Sequence, residues 1–328
     1  MYPLLVKRDL VNIFYHAISD DDLEHVRYLY PVVSVSEFVD ALDYLESRFT
    51  FVSYDQLHDN LQNGTPLPHG ALHLSFDDGF VECFSVVRPI LLEKGIPCTF
   101  FLTIDWLDNE MLYFRHIISL CVGKANKLDH EHQVQFISQV NLLVNLSFID
   151  VNHFSVWLLE LRHNEDQLLD DICQLLSIDI KKYLDKVKPY LTRDQIIQMY
   201  SEGFTIGAHG LSHRKLGFID EDSMEEELVG SCNAIREITQ QEIVPFSFPQ
   251  SAGKVNRSRL ELILQHNPSI GLLFDTKDLR TDRDFMINRI WAERPLTKER
   301  MLHSLPMIFK QAYQDAWVDG VTKGFRNK

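Results

Sequence analysis

Long apolar runs are missing from this sequence. The N-terminal stretch has four consecutive apolar residues before Lys7, Arg8 and Asp9, too short for the core of a secretory signal. No window approaches the roughly 18 apolar residues of a membrane-spanning helix, so a membrane span is excluded and the cytoplasm is the expected location. Basic residues are also scarce: 32 Lys and Arg stand against 47 Asp and Glu, a net charge of −15. Repulsion from polyphosphate then excludes a general nucleic-acid-binding role and favours a neutral or cationic substrate. Cys83, Cys98, Cys121, Cys173 and Cys232 are odd in number, widely spaced and never in a C-x-x-C pair. That excludes a disulfide framework and a zinc-thiolate site, leaving buried reduced thiols. Gly-x-x-x-x-Gly-Lys and Gly-x-Gly-x-x-Gly are absent, which removes the usual phosphate cradles. What is present is 45% hydrophobic and 24% charged residues in a chain of 328: a globular protein with a sizeable core, within the range of one α/β barrel carrying additions.

Short apolar, β-forming runs alternate with helical patterns. Strands are predicted at Leu10 to Tyr15, Ala71 to Phe76, Ile96 to Leu102, Phe204 to Ala208, Val244 to Phe248, Ile270 to Phe274 and Ile287 to Trp291. Helices are predicted from an N-cap at Ser36, at Glu82 to Lys94 closed by Gly95, after Thr192, from Asp220 to about Gln240, and at Ser258 to Gln265. Strand, helix and strand with tight connections are the mark of parallel βαβ units. Between Trp106 and Lys188 the rhythm breaks into helical patterns alone. The expected organisation is thus a barrel in two parts, residues 1–105 and 190–300, a helical insertion at 106–189 and a helical tail at 301–328.

Two motifs fall at the C-terminal ends of predicted strands, where α/β folds place their ligands. Asp77-Asp78-Gly79 is one; splayed apart, one carboxylate can bind a cation while the other moves a proton. His209-Gly-Leu-Ser-His213 is the other, and its i, i+4 spacing on a turn of helix points both imidazoles to one side. Together they supply two imidazoles and a carboxylate with room for a water, the open pattern of a catalytic zinc site rather than the closed pattern of a structural one. The Glu225-Glu-Glu run reads as a solvated helix face. His73 and His266 read as structural, and His116, His130, His132 and His153 as packing or surface residues.

With Ser75-Phe-Asp-Asp-Gly, His209-x-x-x-His213, Ile13-Phe-Tyr-His16, Lys94-Gly-Ile-Pro-Cys-Thr-Phe-Phe-Leu, Glu202-Gly-Phe-Thr-Ile-Gly-Ala-His and Asn288-Arg-Ile-Trp in this order, the chain resembles the polysaccharide deacetylases of the NodB homology type, carbohydrate esterase family 4. The likeness spans about residues 10–105 and 190–295. It implies a distorted (β/α) barrel that removes an acetyl group from the nitrogen of an amino sugar by metal-assisted hydrolysis. By position, it implies Asp77 as general base and Asp78, His209 and His213 as ligands of one divalent metal ion, zinc being the first candidate. Three positions depart from the family pattern. Ser247 stands where an arginine is usual, Arg214 stands where a proline commonly follows the second histidine, and no Leu-x-His near the end supplies the usual acid, His303 falling beyond the last strand. Arg289, at a late strand end, is expected to reach the barrel mouth in place of the missing arginine, and His16 is expected there as a substrate or acid group. Trp106, Trp291 and Pro249 are the candidate substrate contacts, the tryptophans because amphipathic rings suit the apolar face of a pyranose. The expected substrate is an amino sugar of a polysaccharide or lipopolysaccharide precursor. An O-acetyl ester substrate, or an inactive barrel that only binds carbohydrate, are the alternatives; an oligomer is left open.

Overall fold

A computed structural model describes residues 10–161, 166–294 and 305–326; His303 lies outside the described residues. The strands are β1 (Leu10–Tyr15), β2 (Thr50–Phe51), β3 (Ala71–Phe76), β4 (Thr99–Leu102), β5 (Thr205–Ala208), β6 (Val244–Ser247), β7 (Ile270–Asp275), β8 (Met286–Asn288) and β9 (Ile290–Trp291). The longer ones are mostly apolar and almost wholly buried because helices cover one face and the barrel interior the other, so neither face meets water. All pairings are parallel, in the order β8-β7-β6-β5-β4-β3-β1-β9, with β2 beside β3. The predicted last strand is split: Met286 to Asn288 pairs with β7, Ile290 and Trp291 pair with β1, and Arg289 occupies the break. One bent segment thereby brings the two edges together into a nearly closed parallel barrel of the NodB type. Gly207 on β5 is required by packing, since a Cβ there would lie 2.4 Å from the Phe101 ring.

The described helices are α1 (Val35–Glu46), α2 (Tyr54–Asn63), α3 (Arg88–Lys94), α4 (Phe114–Asn126), α5 (His130–Val144), α6 (Val151–Glu160), α7 (Asp166–Leu175), α8 (Ile180–Val187), α9 (Arg193–Ser201), α10 (Glu221–Glu225), α11 (Ser231–Thr239), α12 (Arg257–His266) and α13 (Leu305–Arg326). The N-cap of α1 is Ser34, not Ser36, because Glu37 at the third helical position completes a capping box with it. Gly95 closes α3 in the left-handed conformation, and Thr192 caps α9 as expected.

Helices α4 to α7 enclose a core of their own, including Ile118, Phe136, Phe154 and Ile172. Cys121 and Cys173 are free thiols within it, their Sγ atoms 3.6 Å apart. A second cluster with Phe80, Trp106, Leu184 and Tyr190 joins this helical segment to the barrel. The chain after α8 is stitched to the loop that follows β3: Val81 N–H donates to the Pro189 carbonyl (2.9 Å) and Leu191 N–H to that of Gly79 (3.0 Å). The helical segment therefore begins and ends at the mouth where the sequence motifs lie. Among the described residues no helix is long and apolar enough to cross a membrane.

Candidate active site

Strand β3 delivers both aspartates. The Asp77 N–H donates to the Tyr15 carbonyl (2.9 Å), carrying the β1/β3 ladder one residue past the strand. At Asp78 the backbone then turns into the left-handed region, with φ of 77°, followed by Gly79 at 86°. A side-chain-bearing residue held there costs about 1–3 kcal/mol, and such strain gathers at functional sites. Its effect is to separate the neighbours: Asp77 engages Arg289 and Ser247, whereas Asp78 engages the two histidines.

His209 follows β5 and is tied down at both ends of its structure. Its N–H donates to the Leu102 carbonyl (2.8 Å), and its Nδ1 lies 2.8 Å from the Ser247 carbonyl. A carbonyl only accepts, so Nδ1 carries the proton and Nε2 presents a lone pair. That Nε2 stands 3.4 Å from Asp78 Oδ1 and 4.0 Å from Asp77 Oδ2.

The expected helical turn between the two histidines is not formed. Residues 209–215 make an irregular loop, with φ of 82° at Gly210 and 61° at His213. The rings still meet, their centroids 5.0 Å apart and His213 Nε2 3.3 Å from Asp78 Oδ1. What shapes this loop is Glu227, which is buried rather than part of a solvated face. Its carboxylate accepts from the N–H groups of Leu211 (2.7 Å) and Ser212 (3.1 Å) and from the Ser212 hydroxyl. A Cβ at Gly210 would crowd Glu227 Oε2 at 3.0 Å, which fits glycine at this position.

Asp78 Oδ1 is buried without a hydrogen-bond donor. Facing it are two imidazole nitrogens, that of His209 being the one left free by the Nδ1 contact to the Ser247 carbonyl; at His213 burial lowers the pKa despite the pull of Asp78 and disfavours the imidazolium. Electron pairs converging in a buried site repel one another unless a cation lies between them. The three ligand atoms all lie within 4.8 Å of one another. Bonds of about 2.0–2.1 Å to a tetrahedral ion put ligand atoms roughly 3.3–3.4 Å apart, the separation Asp78 Oδ1 keeps from both nitrogens. Asp78, His209 and His213 therefore fit a divalent cation.

Beside this triad Asp77 is buried at the edge of the cavity. Arg289, itself 0% exposed, donates to both its oxygens at 2.7 Å, and also to Ser75 Oγ (2.9 Å) and Ser247 Oγ (2.6 Å). The guanidinium lies over the Phe14 ring at 4.4 Å, with Phe101 and Phe274 at 5.1 and 5.6 Å. Burial alone would raise the pKa of Asp77, but Arg289 above all, with His16 beyond it, holds it below the usual carboxylate range. Arg289 thus brings a guanidinium to the place where Ser247 withholds one.

His16, at the end of β1, lies across the cavity. Its Nδ1 pairs with Glu293 Oε1, which also accepts from the His16 N–H (3.0 Å) and from Trp291 Nε1 (3.3 Å). Burial opposes the imidazolium, yet Glu293, with smaller contributions from Asp78 and Asp77, pushes the His16 pKa up to about 9. His16, Trp291, both aspartates and both histidines border one cavity of about 470 Å³. A larger cleft of about 1430 Å³, walled by Asp105 to Phe114, α8 and the loop around Phe218, shares His213 and Gln250 with it.

Two expected substrate contacts are buried. Trp106 is 1% exposed, its ring packed on Tyr113, Tyr190 and His213 at 4.8, 5.2 and 5.1 Å. Its ring packs chiefly on protein, and it seats His213. Pro249 is buried beneath Gly210, and the next residue, Gln250, lines the cavity. Sequence reasoning also missed Glu227, Glu293 and Tyr30. Glu293 left a faint signal, an acid just past the last strand at the same end as His16. The other two left none.

Comparison with known proteins gives one family match and several likenesses of fold. The sequence model of the polysaccharide deacetylase family matches residues 151–267, a window that contains both histidines but not the aspartates. It begins inside the helical segment, within a stretch the sequence resemblance had left out. No curated protein matches the chain. Among solved structures, Streptococcus pyogenes deacetylase PplD in complex with acetate is similar at a TM-score of 0.55 and 15% identity, covering 86% of this chain and 91% of that one. IcaB from Ammonifex degensii gives 0.53 and 17%, covering 93% and 97%. A de-N-acetylase from Aggregatibacter actinomycetemcomitans gives 0.52 and 16%, covering 85% and 93%. At such identities these likenesses speak for the fold. The family match over residues 151–267 and the fold shared with solved deacetylases together bear out the resemblance of this chain to the polysaccharide deacetylase family.

Proposed function

We propose that this chain is a metal-dependent hydrolase that removes an N-acetyl or related N-acyl group from an amino sugar of a polysaccharide or lipopolysaccharide precursor. Asp78, His209 and His213 would hold the divalent ion, zinc in the first place. Bound there, such an ion supplies Lewis acidity toward the acyl carbonyl and acidifies water. Asp77, kept ionised and oriented by Arg289, takes the proton of the attacking water as its oxygen bonds to the acyl carbon. His16, protonated at neutral pH, donates a proton to the sugar nitrogen as the carbon–nitrogen bond breaks, so the products are a free carboxylate and an amine. An available acid on the leaving-group side removes the reason for preferring an O-acetyl ester, whose alkoxide needs the same help no more than an amine does. Trp291, half-buried at the mouth, is the candidate surface for a sugar face. The adjoining cleft leaves room for further sugar units.

The single observation that carries this reading is the convergence of Asp78 Oδ1 and two imidazole nitrogens beside an arginine-held Asp77. It is tested by elemental analysis of the purified protein and its His209→Ala/His213→Ala variant, together with acetate release from N-acetylated amino-sugar oligomers. The expected result is about one equivalent of a divalent metal per chain, lost in the variant along with acetate release. Absence of metal from both proteins after reconstitution would overturn the reading.

A further inference from the structure

Tyr30 stands apart from other tyrosine hydroxyls of the fold. Tyr190 Oη pairs with His116 Nδ1 (2.6 Å), Tyr183 Oη with His25 Nδ1 (3.0 Å), and Tyr54 Oη accepts from the Leu272 N–H (3.0 Å). The Tyr30 hydroxyl oxygen is equally buried but has no hydrogen-bond partner among the described residues. Buried polar groups are almost always paired, and one left alone is costly. Its position gives the reason: Tyr30 borders the cavity that holds Asp77, Asp78, His209 and His213, and its ring lies 5.0 Å from that of His16. Burial and the nearby charges of Asp78 and Glu293 keep the phenol protonated, so it acts as a donor.

We infer that the Tyr30 hydroxyl is a substrate-binding group, donating a hydrogen bond to an oxygen of the sugar on the leaving-group side of the site, beside His16. The assignment rests on the proposed deacetylase reading and refines its specificity: the preferred sugar carries an acceptor oxygen next to the acylated nitrogen. A donor left unpaired in the free protein discriminates strongly against a ligand that cannot satisfy it.

The test is Tyr30→Phe, which removes only the hydroxyl. Three readouts are needed: kcat/KM on N-acetylglucosamine oligosaccharides, bound metal, and thermal unfolding of the metal-free protein. The expected result is a fall in kcat/KM on the order of 10- to 100-fold, with metal content unchanged and Tm unchanged or higher, because an orphaned buried hydroxyl has been removed. Unchanged kcat/KM would overturn the inference, and so would a lowered Tm with loss of metal, the signature of a structural role. Binding of the same oligosaccharide is measured in parallel in an Asp77→Asn background, with and without Tyr30→Phe. If the wild-type chain releases no acetate, the deacetylase reading fails. A drop in affinity on removal of the hydroxyl would still uphold Tyr30 as a sugar contact, and equal affinities would refute it.

Discussion

Replacing Arg289 by Met should be among the most damaging single changes in the barrel. The guanidinium makes two 2.7 Å hydrogen bonds to Asp77 and two more to Ser75 and Ser247, with no exposure to water. Methionine fills much of the volume but leaves the Asp77 carboxylate buried and unpaired, and breaking a buried pair in this way costs about 3–5 kcal/mol. Ser247 Oγ, 3.3 Å from Asp77 Oδ2, can recover part of this, which places the loss near the lower end. The pH dependence identifies the cause. In the native chain the pKa of Asp77 is lowered on folding, so its contribution is present above the unfolded carboxylate pKa and is lost as pH falls through the lower folded value. Without Arg289, burial dominates and raises the folded value above the unfolded one, so the variant recovers as the carboxyl protonates. Chemical unfolding of the metal-free proteins at pH 8 and pH 5 should therefore show a larger gap at pH 8. Combining Arg289→Met with Asp77→Asn should cost much less than the sum of the two changes. A loss below about 1 kcal/mol at pH 8, or one independent of pH and additive with Asp77→Asn, would refute the charge-pair account.

Glu293→Gln should lower the His16 pKa from about 9, because the charge that sustains the imidazolium is removed. The alkaline limb of the kcat/KM profile should then move to lower pH while the acid limb stays in place; an unmoved alkaline limb argues against His16 as the proton donor. Native stability carries the same signature. A histidine with a raised folded pKa contributes fully below the unfolded value of 6.5 and loses that contribution as pH rises through about 9, so the stability difference between native and Glu293→Gln protein should shrink across that interval. Glu227→Ala removes the acceptor for Leu211, Ser212 and the Ser212 hydroxyl. Metal affinity, measured by competition with a chelator, should fall about 10- to 100-fold as the histidine loop loosens. Unchanged affinity would mean that the loop holds its shape without this support.

Much of the site was legible because chemistry and position coincide in the sequence. Asp77-Asp78-Gly79 and the histidine pair each follow an apolar run that can only be a buried strand, and parallel strands put their C-terminal ends on one face of the molecule. The identity of the helical turn at His209 to His213 was misread for a local reason: Gly210 and a positive φ at His213 break the helix, while the acceptor that stabilises the bend, Glu227, lies on a distant element. Glu227 could not be found from its own neighbours, since Glu225-Glu-Glu has the pattern of an exposed face and burial of its third member depends on a loop arriving from elsewhere. Trp106 is the opposite case. A tryptophan after a strand can serve a sugar or a core equally well, and the helical segment, which packs over it, decides for the core.

What the sequence determined by itself was most of the strands, the parallel α/β order and the residues able to bind a cation, because apolar runs and side-chain chemistry are local properties. The tertiary structure alone decided which charges meet. Arg289 reaches Asp77 across 212 positions because a single bent segment pairs with both β7 and β1, and His16 finds Glu293 across 277 by the same closure of the ring. Pairing of buried charges is a long-range outcome of topology, and in this chain it turns a set of candidate residues into one site.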